Sequence, residues 1–230
     1  MTDSPTRSTR AYRLVYPWMR ALLSFLWRVL ALRLRMTGTF NVPRRGGVLL
    51  CPNHISDLDP TLVQNASPRL ASRSLWFMAK RELFDMKLPI IGDLGPKIRF
   101  MQTFPVDPNE PDREALRHAE DLLKAGQPLV VFPEGYCSSN GELNEIQPGA
   151  VMLALRAMVP IVPVGLWGTQ SVMPYGSLVM RPTLNRVRVH FGKPIRFDDL
   201  KDKPKREARE IATQRLTDAM KQARDVAKNG

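Results

Sequence analysis

The sequence predicts an α/β fold in which a mixed, largely parallel sheet is flanked by helices. Short apolar runs of strand length recur through the middle of the chain, at residues 47–51, 75–79, 98–104, 129–132, 161–167 and 187–191. Several of these runs show no alternation of apolar and polar residues, which is typical of strands covered on both faces. Helical patterns lie between some of the runs, and strands that alternate with helices favour a parallel sheet.

The clearest helix signals in this body lie at residues 112–125, 150–158 and 205–227. The first begins with acidic residues and stops at Gly126, which is how many helices begin and end. Its apolar face consists of Leu116, Ala119, Leu122 and Leu123. We therefore expect one domain over residues 37–200, and a charged C-terminal helix of the same domain over residues 201–230.

The charge of the chain is concentrated at its two ends. The formal net charge is +12. Residues 1–45 carry nine Lys or Arg and one acid, residues 201–230 carry nine and five, and residues 46–200 carry sixteen of each. The basic ends do not predict nucleic-acid binding, because the chain has no zinc-finger spacing and no aromatic nucleic-acid-binding signature. The two cysteines, Cys51 and Cys137, are predicted to be free thiols in a reducing compartment.

Residues 1–36 are predicted to be an amphipathic, helical membrane-binding segment. Their longest uncharged stretch within 16–36 is the seven residues 21–27, whereas a helix that spans a bilayer needs about 20. On a helical projection the polar wedge consists of Arg13, Arg20, Ser24, Arg28 and Arg35. The remaining surface is apolar, with Trp18 and Trp27 at its flanks, and Arg33 breaks the pattern. This pattern favours a helix lying in the interface of an anionic membrane. A helix that covers the core, with its arginines facing water, is the alternative.

Two polar stretches directly follow predicted strands. Residues 52–60 read "PNHISDLDP" and residues 131–141 read "VFPEGYCSSNG". In open α/β sheets the chemistry lies beyond the carboxyl ends of the strands, so we expect the two stretches to meet in space.

His54 and Asp59 have the residue types of a general base and of the carboxylate that orients it. Other roles are open for both, because an Asp before Pro60 often caps a helix and His54 can simply be a hydrogen-bonded loop residue. Glu134 at the mouth of a strand could accept hydrogen bonds from a hydroxylated substrate, and Gly135 permits close backbone approach. By itself this second stretch would also suit an ordinary polar turn.

Together these stretches resemble the glycerolipid acyltransferases, typified by lysophosphatidic acid acyltransferase. "PNHISDLDP" is similar to the family block N-H-x-S-x-x-D-P, and "VFPEG" to the block F-P-E-G. Further similar stretches are "LWFMAKRELF" at 75–84, "IVPVGLWG" at 161–168 and "VRVHFGKPI" at 187–195. The resemblance extends over residues 37–197 and implies that 37–200 are an acyltransferase domain.

The resemblance implies that His54 is the catalytic base and that Asp59 orients it. Glu134 and Gly135 match the acceptor-binding block, Pro163 matches a block associated with acyl-chain binding, and Asp57 falls on a variable position. The full set of implied substrate-binding residues is Asn53, Ser56, Lys80, Phe132, Pro133, Glu134, Gly135, Ser138 and Pro163.

The implied reaction transfers a fatty acyl group from acyl-CoA or acyl carrier protein to the hydroxyl of a lysophospholipid. The default acceptor is lysophosphatidic acid, which gives phosphatidic acid. We expect no metal, no cofactor and no covalent enzyme intermediate. The expected partners are the two substrates and an anionic membrane surface, at the cytoplasmic face of the cell membrane, with peripheral or monotopic attachment. A non-catalytic lipid-binding homologue is the alternative from another functional class.

The sequence departs from the family at three positions that tend to be cationic. Pro108, Cys137 and the pair 147–148 are neutral here, whereas the family's cations are associated with the acceptor phosphate. The acceptor is therefore either a different lipid, such as another lysolipid, a glycolipid or an aminolipid, or its phosphate is bound by other cations. The first candidate for a cation that binds the phosphate is Lys80. The other candidates are Arg81, Lys97, Arg99 and Arg113.

Overall fold

The computed structural model describes residues 10–66, 68–70, 73, 75–88, 92–107, 112–177 and 179–230. Within these residues the helices are α1 (Arg10–Leu30), α2 (Asp59–Ala66), α3 (Glu82–Asp85), α4 (Leu94–Phe100), α5 (Arg113–Lys124), α6 (Gly149–Ala157) and α7 (Lys205–Asn229). The strands are β1 (Ala31–Thr37), β2 (Val48–Pro52), β3 (Trp76–Lys80), β4 (Lys87–Leu88), β5 (Gly92–Asp93), β6 (Thr103–Val106), β7 (Pro128–Val130), β8 (Ile161–Trp167) and β9 (Thr183–Phe191).

Seven strands form one sheet in the order β1-β9-β8-β2-β7-β3-β6, and β4 and β5 form a separate antiparallel pair. Strands β8, β2, β7, β3 and β6 run parallel to one another. Strand β9 is antiparallel to β8, and β1 runs parallel to β9. The predicted mixed, largely parallel sheet flanked by helices is therefore confirmed.

The register of the sheet brings three loops together at one edge. Strand β2 lies between β8 and β7, and Pro52 at its end pairs with Val164 of β8. The segments that follow β2, β7 and β8 therefore leave the sheet side by side. These segments contain His54, Glu134 and Thr169 respectively.

Apolar clusters cover both faces of the sheet, which explains why its strands read as continuous apolar runs. On one face, side chains of β2, β8 and β9 pack with Trp27 of α1 and with Leu62 and Val63 of α2. On the other face, the cluster joins the sheet to α5, α6 and α7, with Leu122 and Leu216 fully buried. The two cysteines, Cys51 and Cys137, are both free and buried.

Two stretches were predicted with the wrong element type, and β9 begins at Thr183 rather than at residue 187. The N-terminal helix ends at Leu30, and residues 31–37 form the edge strand β1, which pairs with β9 and belongs to the sheet rather than to a separate segment. The run at 98–104 was predicted to be a strand, but helix α4 extends to Phe100 and strand β6 begins only at Thr103.

Helix α1 turns part of its polar side toward the protein. Arg20 donates to the carbonyl of Gln64 at 3.0 Å, and Trp27 Nε1 donates to the hydroxyl of Thr61 at 3.2 Å. Trp27 is buried rather than placed at the flank of an outer face. The large apolar side chains that α1 exposes are Leu14, Val15, Trp18, Leu22, Phe25, Leu26 and Val29. No described helix has the length and the hydropathy that crossing a membrane requires.

Candidate active site

His54 and Asp59 lie side by side in the loop between β2 and α2. His54 Nδ1 is 3.0 Å from Asp59 Oδ2. The side chain of Asp59 is fully buried, whereas 18% of the side-chain surface of His54 is exposed. Because an ionised carboxylate only accepts hydrogen bonds, Nδ1 carries the proton in this contact. The lone pair of the imidazole is then at Nε2, the position from which a histidine can act as a general base.

The carboxylate of Asp59 turns back toward the loop instead of capping α2. Its Oδ2 accepts from the backbone N–H groups of Ile55 at 2.7 Å and Ser56 at 2.9 Å, in addition to His54 Nδ1. Its Oδ1 accepts from the hydroxyl of Thr169 at 2.7 Å. All these contacts position Asp59 for His54, so the helix-capping alternative does not describe its side chain.

The loop after β7 holds His54 by its backbone. Glu134 Oε1 accepts from the N–H of His54 at 2.7 Å, and the N–H of Ser138 donates to the carbonyl of His54 at 2.7 Å. The ring of Phe132 packs on the imidazole, with 4.2 Å between ring centroids and 30° between planes. The stretch containing Glu134 is therefore more than a polar turn, because it fixes the main chain and one ring face of His54.

This arrangement corrects the expected role of Glu134. Its side chain is fully buried, and its second oxygen, Oε2, accepts from the N–H of Asn144 at 2.7 Å. No carboxylate oxygen is exposed to a substrate, so Glu134 positions the site instead of contacting the acceptor. Burial raises the pKa of the Glu134 carboxyl, and the hydrogen bonds from the backbones of Asn144 and His54 oppose that rise.

Three other residues implied to bind substrate have structural contacts. The amide of buried Asn53 exchanges two hydrogen bonds with the backbone of Leu166 on β8, at 2.6 and 3.2 Å. The hydroxyl of buried Ser56 donates to the carbonyl of Met173 at 2.7 Å. Pro163 is a buried residue inside β8. The expectation of direct substrate contact is therefore wrong for Asn53 and Ser56 in this arrangement, and Pro163 lies within the sheet.

The remaining predicted residues lie around the loop. Pro133 is buried, and its carbonyl accepts from the N–H of Gln147 at 2.8 Å. Gly135 is exposed and has φ +77°, a conformation that favours glycine. Lys80 is exposed at the carboxyl end of β3. Since β3 is two strands from β2, this end lies about 10 Å across the sheet from the end of β2.

Several candidate cations for an acceptor phosphate already have partners. Arg81 pairs with Asp112 at 3.1 Å, Lys97 donates to the carbonyl of Asp93 at 2.8 Å, and the guanidinium of Arg99 lies 4.8 Å from the ring centroid of Phe84. Across the described residues, the ammonium of Lys80 and the guanidinium of Arg113 have no such partner. Pro108, one of the neutral departures, lies outside the described residues.

Cys137 is a poor nucleophile despite its place beside the site. Burial, together with the negative charges of Asp59, Asp57 and Glu134, raises the pKa of its thiol to about 12. The thiol is therefore protonated at neutral pH, and thiolate is the nucleophilic form.

Sequence reasoning did not identify Thr169, which is 110 residues from Asp59 in the chain. The stretch "GLWGT" carries no local sign of contact with "SDLD". The available signal was topological: if β8 is placed beside β2, the residue that follows the end of β8 must lie near the loop that follows β2.

Comparisons with known proteins identify a family and similar structures for this chain. A model of the family described as Acyltransferase matches residues 33–167. A 1-acyl-sn-glycerol-3-phosphate acyltransferase of Streptococcus pneumoniae is 28% identical over 191 residues, 82% of this chain and 66% of that protein. A chloroplastic 1-acyl-sn-glycerol-3-phosphate acyltransferase of Brassica napus is 34% identical over 125 residues, 54% of this chain and 35% of that protein.

A solved structure extends the agreement in fold over nearly the whole chain. The crystal structure of the 1-acyl-sn-glycerophosphate acyltransferase PlsC from Thermotoga maritima superposes with a TM-score of 0.70 at 23% identity, covering 94% of this chain and 83% of that one. The chain spans from about one third to just under two thirds of the length of the first curated relatives it matches. Since the family model covers more than half of the chain, including both the His54 loop and the Glu134 loop, the protein belongs to the acyltransferase family.

Proposed function

We propose that the protein transfers a fatty acyl group from a thioester donor to the hydroxyl of a lysophospholipid, with His54 as the general base. The observation that carries this proposal is the contact between His54 Nδ1 and Asp59 Oδ2, at 3.0 Å, on a partly exposed histidine. Asp59 fixes the tautomer of the imidazole, so that the lone pair of Nε2 is available to a substrate.

We propose the following steps for the reaction. Nε2 of His54 takes the proton of the acceptor hydroxyl, and the hydroxyl oxygen forms a bond to the thioester carbonyl carbon. The tetrahedral oxyanion then collapses, the carbon–sulfur bond breaks, and the imidazolium returns its proton to the leaving thiol. The buried charge of Asp59 stabilises the imidazolium between the two steps. An ester and a free thiol are the products, and no electrons are gained or lost.

This scheme requires neither a covalent enzyme intermediate nor a metal or cofactor. The elevated pKa of Cys137 argues against a thiolate nucleophile. The hydroxyl of Ser56 is buried and donates to a carbonyl, which leaves it poorly placed to attack a thioester. Acyl-CoA or acyl carrier protein would be a co-substrate that leaves as the free thiol.

Lysophosphatidic acid is the first acceptor to test, because the matching relatives are named 1-acyl-sn-glycerol-3-phosphate acyltransferases. Lys80, exposed at the carboxyl end of β3 and without a partner in the described part of the chain, is our candidate for the cation that binds its phosphate. A second acceptor class remains, because buried Cys137 and neutral Gln147 stand where the family tends to be cationic. That class comprises other lysolipids, glycolipids and aminolipids.

We further propose that α1 holds the enzyme at an anionic membrane surface, at the cytoplasmic face of the cell membrane. The exposed apolar side chains of α1 include Trp18 at 78% and Phe25 at 62% exposure, which is a large apolar surface to leave in water. Arg28 on the same helix is also exposed. An apolar face with basic neighbours and Trp is typical of helices that lie in the membrane interface. Both the acceptor and the acyl chain are amphiphilic, so this location would bring the site to its substrates.

A thioester-consumption assay tests the proposed reaction. Purified protein is combined in turn with acyl-CoA or acyl carrier protein loaded with the same acyl chain, and with lysophosphatidic acid, a zwitterionic lysolipid or a lipid-linked sugar. We expect thiol release that depends on one acceptor and yields the acylated lipid by mass spectrometry. Thiol release at the same rate without any acceptor, or none with every pair, would contradict the proposal.

A further inference from the structure

The hydroxyl of Thr169 contacts the oxygen of Asp59 that faces away from His54. Thr169 Oγ1 lies 2.7 Å from Asp59 Oδ1, and neither residue has exposed surface. The hydroxyl must be the donor, because the carboxylate only accepts. Within the described residues Thr169 is the one donor to Oδ1, whereas Oδ2 accepts three hydrogen bonds. Without Thr169, half of a buried carboxylate would lack a partner.

The fold places Thr169 there through a constrained turn. Gly168 at the end of β8 has φ +86°, and a Cβ at this position would lie 2.1 Å from the carbonyl oxygen of Arg186. The chain then enters the 3-10 turn Thr169–Ser171, and the N–H of Met173 donates to the carbonyl of Thr169 at 3.1 Å. The carbonyl of Met173 in turn accepts from the hydroxyl of Ser56 at 2.7 Å. The turn and the His54 loop are thus bound to each other at two points.

We propose that Thr169 is a positioning residue for acyl transfer, which keeps the Asp59 carboxylate oriented so that Oδ2 faces His54 Nδ1. The inference rests on the proposed role of His54 as the base. Loss of the Thr169 hydroxyl frees Oδ1 to seek another donor by rotation of the carboxylate. Rotation weakens the Asp59–His54 contact and with it the orientation of Nε2. Because Thr169 is fully buried, we expect its loss to lower turnover and to leave substrate binding unchanged.

Three substitutions test this role. Thr169→Val keeps the shape of the side chain and removes the hydroxyl, whereas Thr169→Ser keeps the hydroxyl. Thr183→Val is the matched control: Thr183 is also buried, and its hydroxyl accepts a hydrogen bond from the N–H of Asn185 on the same strand, β9. The measurements are kcat, the KM of donor and acceptor, and the thermal midpoint of each variant.

For Thr169→Val we expect kcat to fall by about 10- to 100-fold, as for loss of a hydrogen bond to a charged group, with both KM values within about twofold of wild type. Thr169→Ser should recover most of the turnover, and Thr183→Val should leave it unchanged. If Thr169→Val does not fold, Thr169→Cys takes its place, since a thiol is a weaker donor of similar size.

Several outcomes would overturn the inference: wild-type kcat in Thr169→Val, a loss that Thr169→Ser does not recover, or a loss that Thr183→Val shares. A rise in KM at constant kcat would also overturn it, because it would show substrate contact. The companion variant His54→Ala separates this inference from the proposed function. An inactive His54→Ala beside a fully active Thr169→Val refutes only the role of Thr169, whereas an active His54→Ala refutes the general-base mechanism itself.

Discussion

At the scale of single residues, the site consists of a few groups that meet the solvent and a larger buried set that holds them. His54 is the partly exposed member, and Asp59 and Glu134 hold its side chain and its backbone respectively. The two polar stretches and the family resemblance together predicted the pair of His54 and Asp59. The sequence could not distinguish residues that contact substrate from residues that hold the loops together. Asn53 and Ser56 belong to the second kind, because they bind the distant backbones of Leu166 and Met173.

The positioning role of Glu134 predicts the effect of Glu134→Gln. The amide group keeps one acceptor oxygen but replaces the other with an NH₂ donor, so the N–H of either His54 or Asn144 loses its partner. We expect the free energy of unfolding to fall by about 1–3 kcal/mol and kcat to fall with it. Denaturant unfolding and steady-state kinetics measure the two effects. The control is Glu142→Gln, the same change at an exposed glutamate that pairs with Arg224; equal behaviour of the two variants would contradict the assignment.

The raised pKa of Glu134 adds a dependence on pH with a definite sign. Because burial raises this pKa above its ordinary value of 4.5, the native state binds the proton more tightly than the unfolded state does. The free energy of unfolding contributed by this group therefore falls as pH rises from 4.5 through the elevated pKa. The free energy of unfolding of wild type relative to that of Glu134→Gln should therefore fall as pH rises over this window, and a rise would contradict the burial argument.

At the scale of elements, the errors of sequence reasoning have identifiable physical causes. Residues 32–36 read "LRLRM", an alternation of apolar and basic residues that suits a strand. Arg35 also fits the arginine wedge of the preceding helix, whereas Arg33 does not. Pairing with β9 makes residues 32–36 a strand rather than a helix, and the local sequence carries no signal of this long-range contact. The run at 98–104 combined the end of α4 with the start of β6, because apolar residues lie on both sides of the boundary, with Phe100 and Met101 before it and Phe104 after it.

Other strands and helices were predicted well because their sequence signals are local. Strand β8 (Ile161–Trp167) has the predicted bounds, and α5 and α6 differ from theirs by about one residue at each end. Their signals are local, since a continuous apolar run predicts a strand buried on both faces and periodic leucines with a terminal glycine predict a helix. Asp112 accepts from the N–H of Ala115 at 2.9 Å and so caps α5.

The outward apolar face of α1 predicts the effect of one charge placed on it. Phe25→Glu should weaken binding to vesicles that contain anionic lipid by at least about tenfold, because it removes an apolar group worth roughly 1.5–3 kcal/mol when buried and adds a repelled charge. Co-sedimentation with vesicles measures the binding. Phe40→Glu is the matched control, since Phe40 is 70% exposed in the turn after β1 while Phe25 is 62% exposed. If both variants bind as wild type does, α1 is not the membrane contact.

At the scale of the whole molecule, charge and chemistry are separated along the chain. The first 45 residues have a net charge of +8, whereas residues 46–200, which contain the site, are neutral. This division suits an enzyme whose N-terminal segment is attracted to an anionic surface and whose site has few cationic side chains with which to bind a lipid. Under the proposed function, recognition of an acceptor phosphate would depend on a small number of basic side chains, of which Lys80 is our first candidate.

Lys80→Ala tests how much the acceptor headgroup depends on that side chain. If Lys80 binds the phosphate, the KM for lysophosphatidic acid should rise by about 10- to 100-fold, the range for a lost hydrogen bond between charged groups, with little change for a zwitterionic lysolipid. Lys87→Ala serves as the control, because Lys87 is 80% exposed and pairs with Asp93. An unchanged KM for lysophosphatidic acid would direct the search to Arg113.

The most direct test of the central claim is the turnover of His54→Ala beside that of His118→Ala. Both variants exchange a partly exposed histidine for alanine, but His118 lies on α5 and packs against the rings of Trp76 and Phe104. Each variant is first shown to retain the thermal midpoint and the circular dichroism spectrum of a folded protein. Acceptor-dependent thioester consumption should then fall on the order of 10²–10⁴-fold in His54→Ala and stay near wild type in His118→Ala. More than about half of the wild-type turnover in folded His54→Ala would contradict this mechanism. Such a small loss would show that His54 is not the general base, because removing a general base lowers the rate by on the order of 10²–10⁴-fold.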